Sequence, residues 1–297
     1  MEHLSFCLVC GGNHISKELS CKDFVASTET FDLCRCADCS FLFTNPRPSV
    51  QEIGPYYQSD RYVSHAGSKA DFSFMYKVYD VVRDYSIGRK IKLIKSYHPS
   101  GDIMDLGCGL GYFLNALHKD GSFRPVGVDI SEDAVNYVKQ NFGLTVRREN
   151  ELGAFTPYSF DAITQWHVLE HVHALNERMQ QLKRLLKKDG TLFIAVPNSN
   201  SWDAKHYGAF WDGYDVPRHL YHFNKKSFSL LMKKHGFRIV ETRAMIFDAP
   251  YISMRSEVHR GNSAEFLRGA ASGILSTMNA WANGNYSSLL FVVKNVL

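Results

Sequence analysis

Three glycines at alternate positions, directly after a short apolar segment, restrict this chain more than any other feature. Residues Asp102–Leu114 read DIMDLGCGLGYFL, which places Gly107, Gly109 and Gly111 between a predicted strand and a predicted helix. A turn without side chains at this point lets a ligand lie against the bare backbone. The spacing is not the G-x-G-x-x-G that aims a helix N-terminus at a pyrophosphate. The sequence therefore predicts a nucleoside cofactor other than a dinucleotide.

Two acidic residues flank this glycine turn in the predicted fold. Asp105 ends the first strand and suits a cationic ligand better than a phosphate. Asp129 ends a second predicted strand, Pro125–Asp129, about one strand-helix-strand unit further along the chain. Its two carboxylate oxygens can accept hydrogen bonds from both hydroxyls of a ribose.

The glycine turn, the strand that ends in Asp129 and two further segments follow one another in the order found in class I S-adenosylmethionine-dependent methyltransferases, and the chain resembles that family. These segments are FDAITQWHVLEHV at Phe160–Val172 and LKKDGTLFIAVPN at Leu186–Asn198. The resemblance implies that S-adenosylmethionine (SAM) binds at Asp105, the three glycines and Asp129. It also implies a seven-stranded sheet whose last strand is antiparallel and lies between the fifth and sixth.

Alternating strand and helix patterns after residue 100 independently indicate a doubly wound, mostly parallel α/β sheet. The predicted strands are centred near Ile103, Val126, Thr145, Ala162, Leu192, Ile239 and Leu290. About 35 residues at 250–285 separate the last two, which is too long for a hairpin loop. We expect a helical insertion there that covers the substrate or, equally, serves as a dimerisation arm.

The residues that follow the third and fourth strands are further candidates for the cofactor site, because ligands lie beyond the carboxyl ends of such strands. Similar enzymes place a polar side chain on the adenine amino group, and Glu149 and Asn150 both fit that role. Gln165 and Trp166 are expected to border the sulfonium. The Trp166 ring can face that cation or pack in the core.

One competing motif lies in the same region. His167, Glu170 and His171 match the H-x-x-E-H pattern of inverted zinc proteases, with Glu241 as a possible third ligand. That chemistry requires an open two-histidine zinc face on a helix. Since the segment directly follows the fourth strand, in the expected order with the other methyltransferase motifs, we interpret the protease match as a coincidence.

Six of the seven cysteines fall within the first 39 residues. Cys7 and Cys10 form one C-x-x-C pair, and Cys36 and Cys39 form another. Four thiolates in this arrangement can close a tetrahedral zinc site, with bound iron or free thiols as the alternatives. A closed four-sulfur site has no open position for substrate, so we expect structural zinc in a small ribbon built around Phe24–Leu33.

The predicted domain organisation has three parts. Residues 1–48 form the zinc-ribbon-like module, 49–100 a linker with N-terminal helices at 72–97, and 101–297 the SAM-binding domain.

Histidines are the candidate general bases, because methyl transfer to a protic acceptor requires removal of a proton. His219 and His222 lie in the aromatic segment Trp211–Asn224, and similar methyltransferases carry a P-x-H-x-x-x-F stretch there. His219 is the first candidate, followed by His222 and His171. Arg218 can hold an anionic substrate group or pair with Asp215.

Composition narrows the acceptor only coarsely. The formal net charge is +4, and Lys and Arg are scattered, so nucleic acid is an unlikely partner. We expect methylation at oxygen or carbon of a small or carbohydrate-type acceptor. The alternatives are an RNA-base methyltransferase and a non-catalytic SAM-binding module that docks a protein partner. No leader pattern and no run of 18 apolar residues occurs, which predicts a cytoplasmic protein without a membrane span.

Overall fold

A computed structural model of the chain describes residues 1–58 and 73–296. Its main sheet has seven strands in the order β10-β11-β8-β7-β4-β5-β6. The strands are β4 (Gly101–Leu106), β5 (Phe123–Asp129), β6 (Val146–Arg148), β7 (Phe160–Trp166), β8 (Leu186–Pro197), β10 (Phe237–Ala244) and β11 (Ser288–Asn295).

The main sheet has the strand directions that the family resemblance implies. β4, β5, β6, β7 and β8 pair in parallel, whereas β11 runs antiparallel to both β8 and β10. The interior strands are continuous buried runs, as expected of a sheet covered by helices on both faces. All seven predicted strands are present, and the predicted doubly wound α/β class is confirmed.

Helices lie between most of these strands and end where the sequence supplies caps. They are α1 (Ser73–Tyr97), α2 (Tyr112–Asp120), α3 (Glu132–Phe142), α4 (Leu175–Leu185), α5 (Trp202–Tyr207), α6 (Lys225–Lys234), α7 (Asp248–Arg260) and α8 (Glu265–Asn283). The Ser131 hydroxyl accepts from the Ala134 N–H at the start of α3, and Gly143 closes that helix in the left-handed conformation. The predicted helical segment at 72–97 is one helix; Phe72 itself lies outside the described residues.

A second, smaller sheet carries the amino-terminal cysteines. It has the order β1-β2-β3-β9, with β1 at Ile15–Lys22, β2 at Thr30–Cys36 and β3 at Leu42–Thr44. The ribbon therefore starts earlier than the stretch Phe24–Leu33 suggested. Asp23 explains the difference, because its carboxylate accepts the backbone N–H groups of residues 25 to 27 and turns the chain between β1 and β2.

The fourth strand of the small sheet comes from a distant part of the chain. β9 (Tyr221–His222) pairs with β3, so that Leu42 lies opposite His222 and Phe43 opposite Tyr221. This pairing joins the cysteine-rich segment to the histidine-rich segment that follows β8. The boundary at residue 48 stays a prediction, but the two segments share one sheet.

The predicted insertion before the last strand is a helical hairpin formed by α7 and α8. These helices pack closely, since a Cβ on Gly269 would lie 2.3 Å from the Met254 Cα and one on Gly273 would lie 2.5 Å from the Pro250 Cα. Only glycine permits backbones to approach this closely. The hairpin follows the carboxyl end of β10 and leads into the amino end of β11, at the edge of the sheet where β8 also ends.

Candidate functional site

The glycine loop has the open backbone that the sequence predicts. Gly107, Gly109 and Gly111 all adopt positive φ, at 79°, 51° and 74°. A Cβ on Gly107 would lie 2.4 Å from the Val168 side chain, and one on Gly111 would lie 2.6 Å from Val138. At Gly109 a Cβ would meet nothing within 4 Å. Two glycines thus permit close packing behind the loop, while the third leaves space in front of it for a ligand.

Asp129, at the end of β5, holds this loop in place by hydrogen bonds to the backbone. Its Oδ2 accepts the Gly109 N–H at 2.8 Å, and its Oδ1 accepts the Ser131 N–H at 2.9 Å. Each carboxylate oxygen retains a second lone pair, so the side chain can still accept from ribose hydroxyls.

Asp105 lies at the end of β4 and is 1% exposed. Burial raises the pKa of its carboxyl to about 6, although the Thr164 hydroxyl donates to its Oδ1 at 2.7 Å. A buried carboxylate is stabilised by a nearby cation, as expected of a site for a positively charged cofactor.

The two adenine-site candidates after β6 have different surroundings. Glu149 forms a salt bridge with the buried guanidinium of Arg178. Asn150 is exposed at the first turn of the short 3₁₀ helix Glu149–Ala154. Asn150 is therefore the more accessible of the two to a ligand.

Gln165 and Trp166 end β7 close to the glycine loop. Gln165 is fully buried, and neither its amide oxygen nor its amide nitrogen has a hydrogen-bond partner among the described residues. The Trp166 ring faces a cation of the chain itself, since the Lys90 ammonium lies 4.1 Å from its centroid. Burial lowers the pKa of Lys90.

His167 joins the end of β7 to the helical insertion. Its Nε2 lies 3.1 Å from the Asp248 Oδ2 on α7, and its Nδ1 lies 3.4 Å from the Glu170 Oε1. Burial opposes charge here, but the two carboxylates raise the pKa of His167 to about 10. The H-x-x-E-H segment is not a helix with a two-histidine face, because Glu170 and His171 lie in the 3₁₀ turn Leu169–His171.

A cavity of about 460 Å³ lies beneath α7, beyond the carboxyl ends of the strands. His167, His219, Asp212, Asp215 and Arg255 supply polar atoms to its wall, while α1 and α7 contribute apolar side chains. Burial raises the pKa of Asp212 to about 6. A cavity of this size and polarity fits a small polar molecule.

Of the three candidate bases, His219 lines this cavity. Its Nδ1 lies 2.9 Å from the Gly213 carbonyl oxygen. Because a carbonyl only accepts, Nδ1 carries the proton and Nε2 retains its lone pair. The Asp215 Oδ2 lies 4.0 Å from that Nε2, close enough to stabilise an imidazolium.

Neither His171 nor His222 is among the residues that line this cavity. The His171 ring packs edge-on against the His219 ring at 4.6 Å, and its Nδ1 lies 3.1 Å from the Arg218 carbonyl oxygen. Burial and the neighbouring His219 lower the pKa of His171 to about 4. His222 is buried on β9, and its Nε2 lies 3.1 Å from the Thr44 hydroxyl.

Arg218 pairs with carboxylates of the chain. Its guanidinium donates to the Asp215 carboxylate at 2.6 Å and to the Asp23 carboxylate at 3.1 Å. The side chains of both Arg218 and Asp23 are fully buried. Burial alone would raise the pKa of Asp215, but Arg218 outweighs it and holds the pKa at about 2.

The four paired cysteines converge at the end of the small sheet. One sulfur from each of Cys7, Cys10, Cys36 and Cys39 lies within 4.8 Å of the others. The sulfurs of Cys7 and Cys39 are 3.5 Å apart, as are those of Cys10 and Cys36. A tetrahedral ion with metal–sulfur bonds of about 2.3 Å needs sulfurs about 3.8 Å apart. The cysteines are free rather than disulfide-bonded, so they fit a four-sulfur metal site.

Sequence reasoning missed Lys90, Asp248 and Arg255 as residues near the cavity, whereas Asp212 lies in the segment Trp211–Asn224 that supplied the histidine candidates. None belongs to a motif of the strand ends. Asp248 and Arg255 lie on the insertion, whose docking could not be inferred from local pattern.

Comparisons with known proteins agree with this geometry. Residues 79–242 match the family model described as "Methyltransferase domain". A protein of Mycolicibacterium smegmatis named as a probable S-adenosylmethionine-dependent methyltransferase is 24% identical over 50% of this chain and 56% of its own length. The ubiquinone biosynthesis O-methyltransferase of Neisseria meningitidis is 26% identical over 33% of this chain and 44% of its own length. The chain thus spans about half the length of the curated relatives it matches.

Solved structures share the fold. A structure of phosphoethanolamine N-methyltransferase 2 from Haemonchus contortus, in complex with phosphomonomethylethanolamine and S-adenosylhomocysteine, superposes with a TM-score of 0.53 at 18% identity. The match covers 86% of this chain and 63% of that one. Among the residues described here, no helix has the length and apolar character needed to cross a membrane.

Gly109→Ala is expected to weaken SAM binding, whereas a glycine substitution with the same cost in stability elsewhere is not. The new methyl group would project into the open space before the loop. Gly143→Ala is the matched control, because Gly143 has φ of 64° and equally free surroundings but caps α3. Both changes cost roughly 1–2 kcal/mol of backbone strain. Calorimetric titration with SAM should show weakened binding in Gly109→Ala alone; equal affinities in the two variants would contradict this use of Gly109.

Proposed function

Because the chain belongs to the methyltransferase-domain family, we propose that it is a SAM-dependent methyltransferase that methylates an oxygen or carbon of a small or glycan-like acceptor. The cavity of about 460 Å³ lined by His219 carries this proposal. The similarity to an enzyme named as an O-methyltransferase supports oxygen as the acceptor atom. The scattered positive charge and the volume of the cavity favour a small molecule over RNA.

SAM fits the cleft formed by the glycine loop. The free space at Gly109, the lone pairs of Asp129 and the unpartnered amide of Gln165 are the features that support its binding there. Asn150 and Glu149 are the residues proposed to meet the adenine, and Asp105 and Trp166 border the remainder of the site. When bound, SAM supplies an electrophilic methyl group for in-line displacement.

The residues of the chain perform three tasks in this reaction. α7 forms one wall of the cavity and limits the entry of water from that side, and its Asp248 pairs with His167 at the end of β7. The polar wall orients the acceptor, which lowers the entropic barrier to displacement. The Nε2 of His219 accepts the proton of the acceptor, and the resulting imidazolium is stabilised by the nearby Asp215 carboxylate.

His171 and His222 have supporting roles in this proposal. The Nδ1 of His171 donates to the Arg218 carbonyl oxygen, and the lowered pKa of His171 keeps its ring neutral. This neutral ring packs against His219 and holds it in place. The contact between His222 and Thr44 fixes the backbone on the carboxyl-terminal side of the base.

We also propose that the four-cysteine site holds a structural zinc ion. The fit of the four free sulfurs to a tetrahedral site supports this assignment. Because all four ligands come from protein, the ion would have no coordination position left for a substrate. Its role is then to stabilise a small sheet that has little core of its own.

His219→Ala is expected to lower kcat by about 10²- to 10⁴-fold, the range for loss of a general base. SAM affinity should remain near the wild-type value, since His219 lines the acceptor cavity. The measurement is the release of S-adenosylhomocysteine across a panel of hydroxylated and carbohydrate acceptors. His118→Ala is the control, because His118 is exposed on α2. An unchanged kcat in His219→Ala would remove His219 as the base.

Elemental analysis is expected to find about one zinc ion per chain. Cys36→Ser should lose this zinc, because it removes one of the four ligands. Cys34→Ser should retain it, since the Cys34 thiol is directed at the Asn45 carbonyl oxygen, 3.4 Å away, and lies outside the cluster. Zinc that persists in Cys36→Ser, or iron in its place, would contradict the assignment.

A further inference from the structure

The outward face of α8 carries a set of large apolar side chains that contact little else in the described chain. Leu267, Ile274, Met278 and Trp281 are 70%, 58%, 53% and 71% exposed. Phe266 and Leu275, at 53% and 51%, flank them. A soluble surface helix normally turns charged and polar residues to this side.

These side chains form a regular seam. Leu267, Ala271, Ile274, Met278 and Trp281 follow one another at intervals of four and three residues. This is the a/d repeat with which one helix packs along another. We call these five residues the α8 seam.

The opposite face of α8 is already buried. Gly269, Gly273, Ser276 and Ala280 pack against the rest of the protein, and the two glycines lie against the backbone of α7. From residue 269 to the end of the helix at residue 283 the sequence contains no charged residue. A helix that is apolar on both sides is expected to be covered on both sides.

We propose that the α8 seam pairs with the same seam of a second copy of this chain, forming a two-fold symmetric dimer. The four large seam residues together with Phe266 and Leu275 present roughly 700 Å² of apolar surface, at about 100 Å² or more for each side chain. This is more than the largest apolar patch of a typical monomer, about 300–600 Å². It also approaches the roughly 800 Å² per partner of a stable interface.

The charge of the helix favours a protein partner over a lipid surface. A helix that binds lipid in the membrane plane carries Lys and Arg beside its apolar face. The charged residues of α8 are Glu265 and Arg268, both in the first turn. The seam is also self-complementary, because its central residue, Ile274, faces its own copy when two seams pair symmetrically.

Sedimentation velocity of the 297-residue chain at micromolar concentration tests this dimer. Wild type is expected to have twice the mass of the 33.8 kDa chain. Ile274→Glu and Ile274→Lys should each be monomeric, because both place two like charges against each other at the centre of the seam. An equimolar mixture of the two variants should recover the dimer through opposite charges.

Val50→Glu is the matched control, because Val50 is similarly exposed but lies outside α8. It should remain dimeric, and circular dichroism should show that all variants are folded. A monomeric wild type, or a dimer unaffected by Ile274→Glu, overturns the proposal. So does a monomer that binds phosphatidylcholine vesicles through Ile274, since that result assigns the seam to a lipid surface.

Discussion

The pairing of β3 with β9 is the contact on which the arrangement of the acceptor site depends. It is short, with two paired positions, yet it joins residues about 180 positions apart in the chain. Around it, Thr44 donates its hydroxyl to the His219 carbonyl oxygen at 2.9 Å and its N–H to the Leu220 carbonyl oxygen at 3.0 Å. The cysteine-rich segment therefore holds the backbone of the proposed base directly.

The histidine-rich segment is also held from the side of the main sheet. The Leu220 N–H donates to the Glu170 carbonyl oxygen at 2.8 Å, so the segment lies between the small sheet and the turn after β7.

Side-chain contacts connect the small sheet to the main sheet at the same place. A series of ring contacts continues from Phe41 through Phe223 and Phe228 to Phe291 on β11. Buried Arg218 adds a charge pair to Asp23 across the same junction. The proposed metal would therefore position the histidine-rich segment as well as stabilise the small sheet, because a metal that orders the cysteines also orders β3.

Local signals predicted the main sheet and its glycine loop, because strand alternation, the Gly-x-Gly-x-Gly turn and the terminal aspartates act over a few residues. The long separation between the last two strands likewise indicated the helical insertion. β9 could not be predicted, since two residues carry no strand pattern of their own and pair only through the tertiary fold. The same limit applies to Lys90 against Trp166 and to Asp248 against His167, which meet through the docking of α1 and α7. The histidines were found by composition and spacing, but which of them lines the cavity followed only from the structure.

Hydrogen exchange before and after removal of the bound metal is the most direct test of this account. If β3 positions the histidine-rich segment, metal removal should speed exchange at residues 30–44 and, together with them, at residues 217–224. The amides of β4 and β5 should keep their protection, because the main sheet does not use the small one. Faster exchange at 30–44 while 217–224 stay fully protected would show that the proposed base is held without the cysteine-rich segment, and would contradict the account.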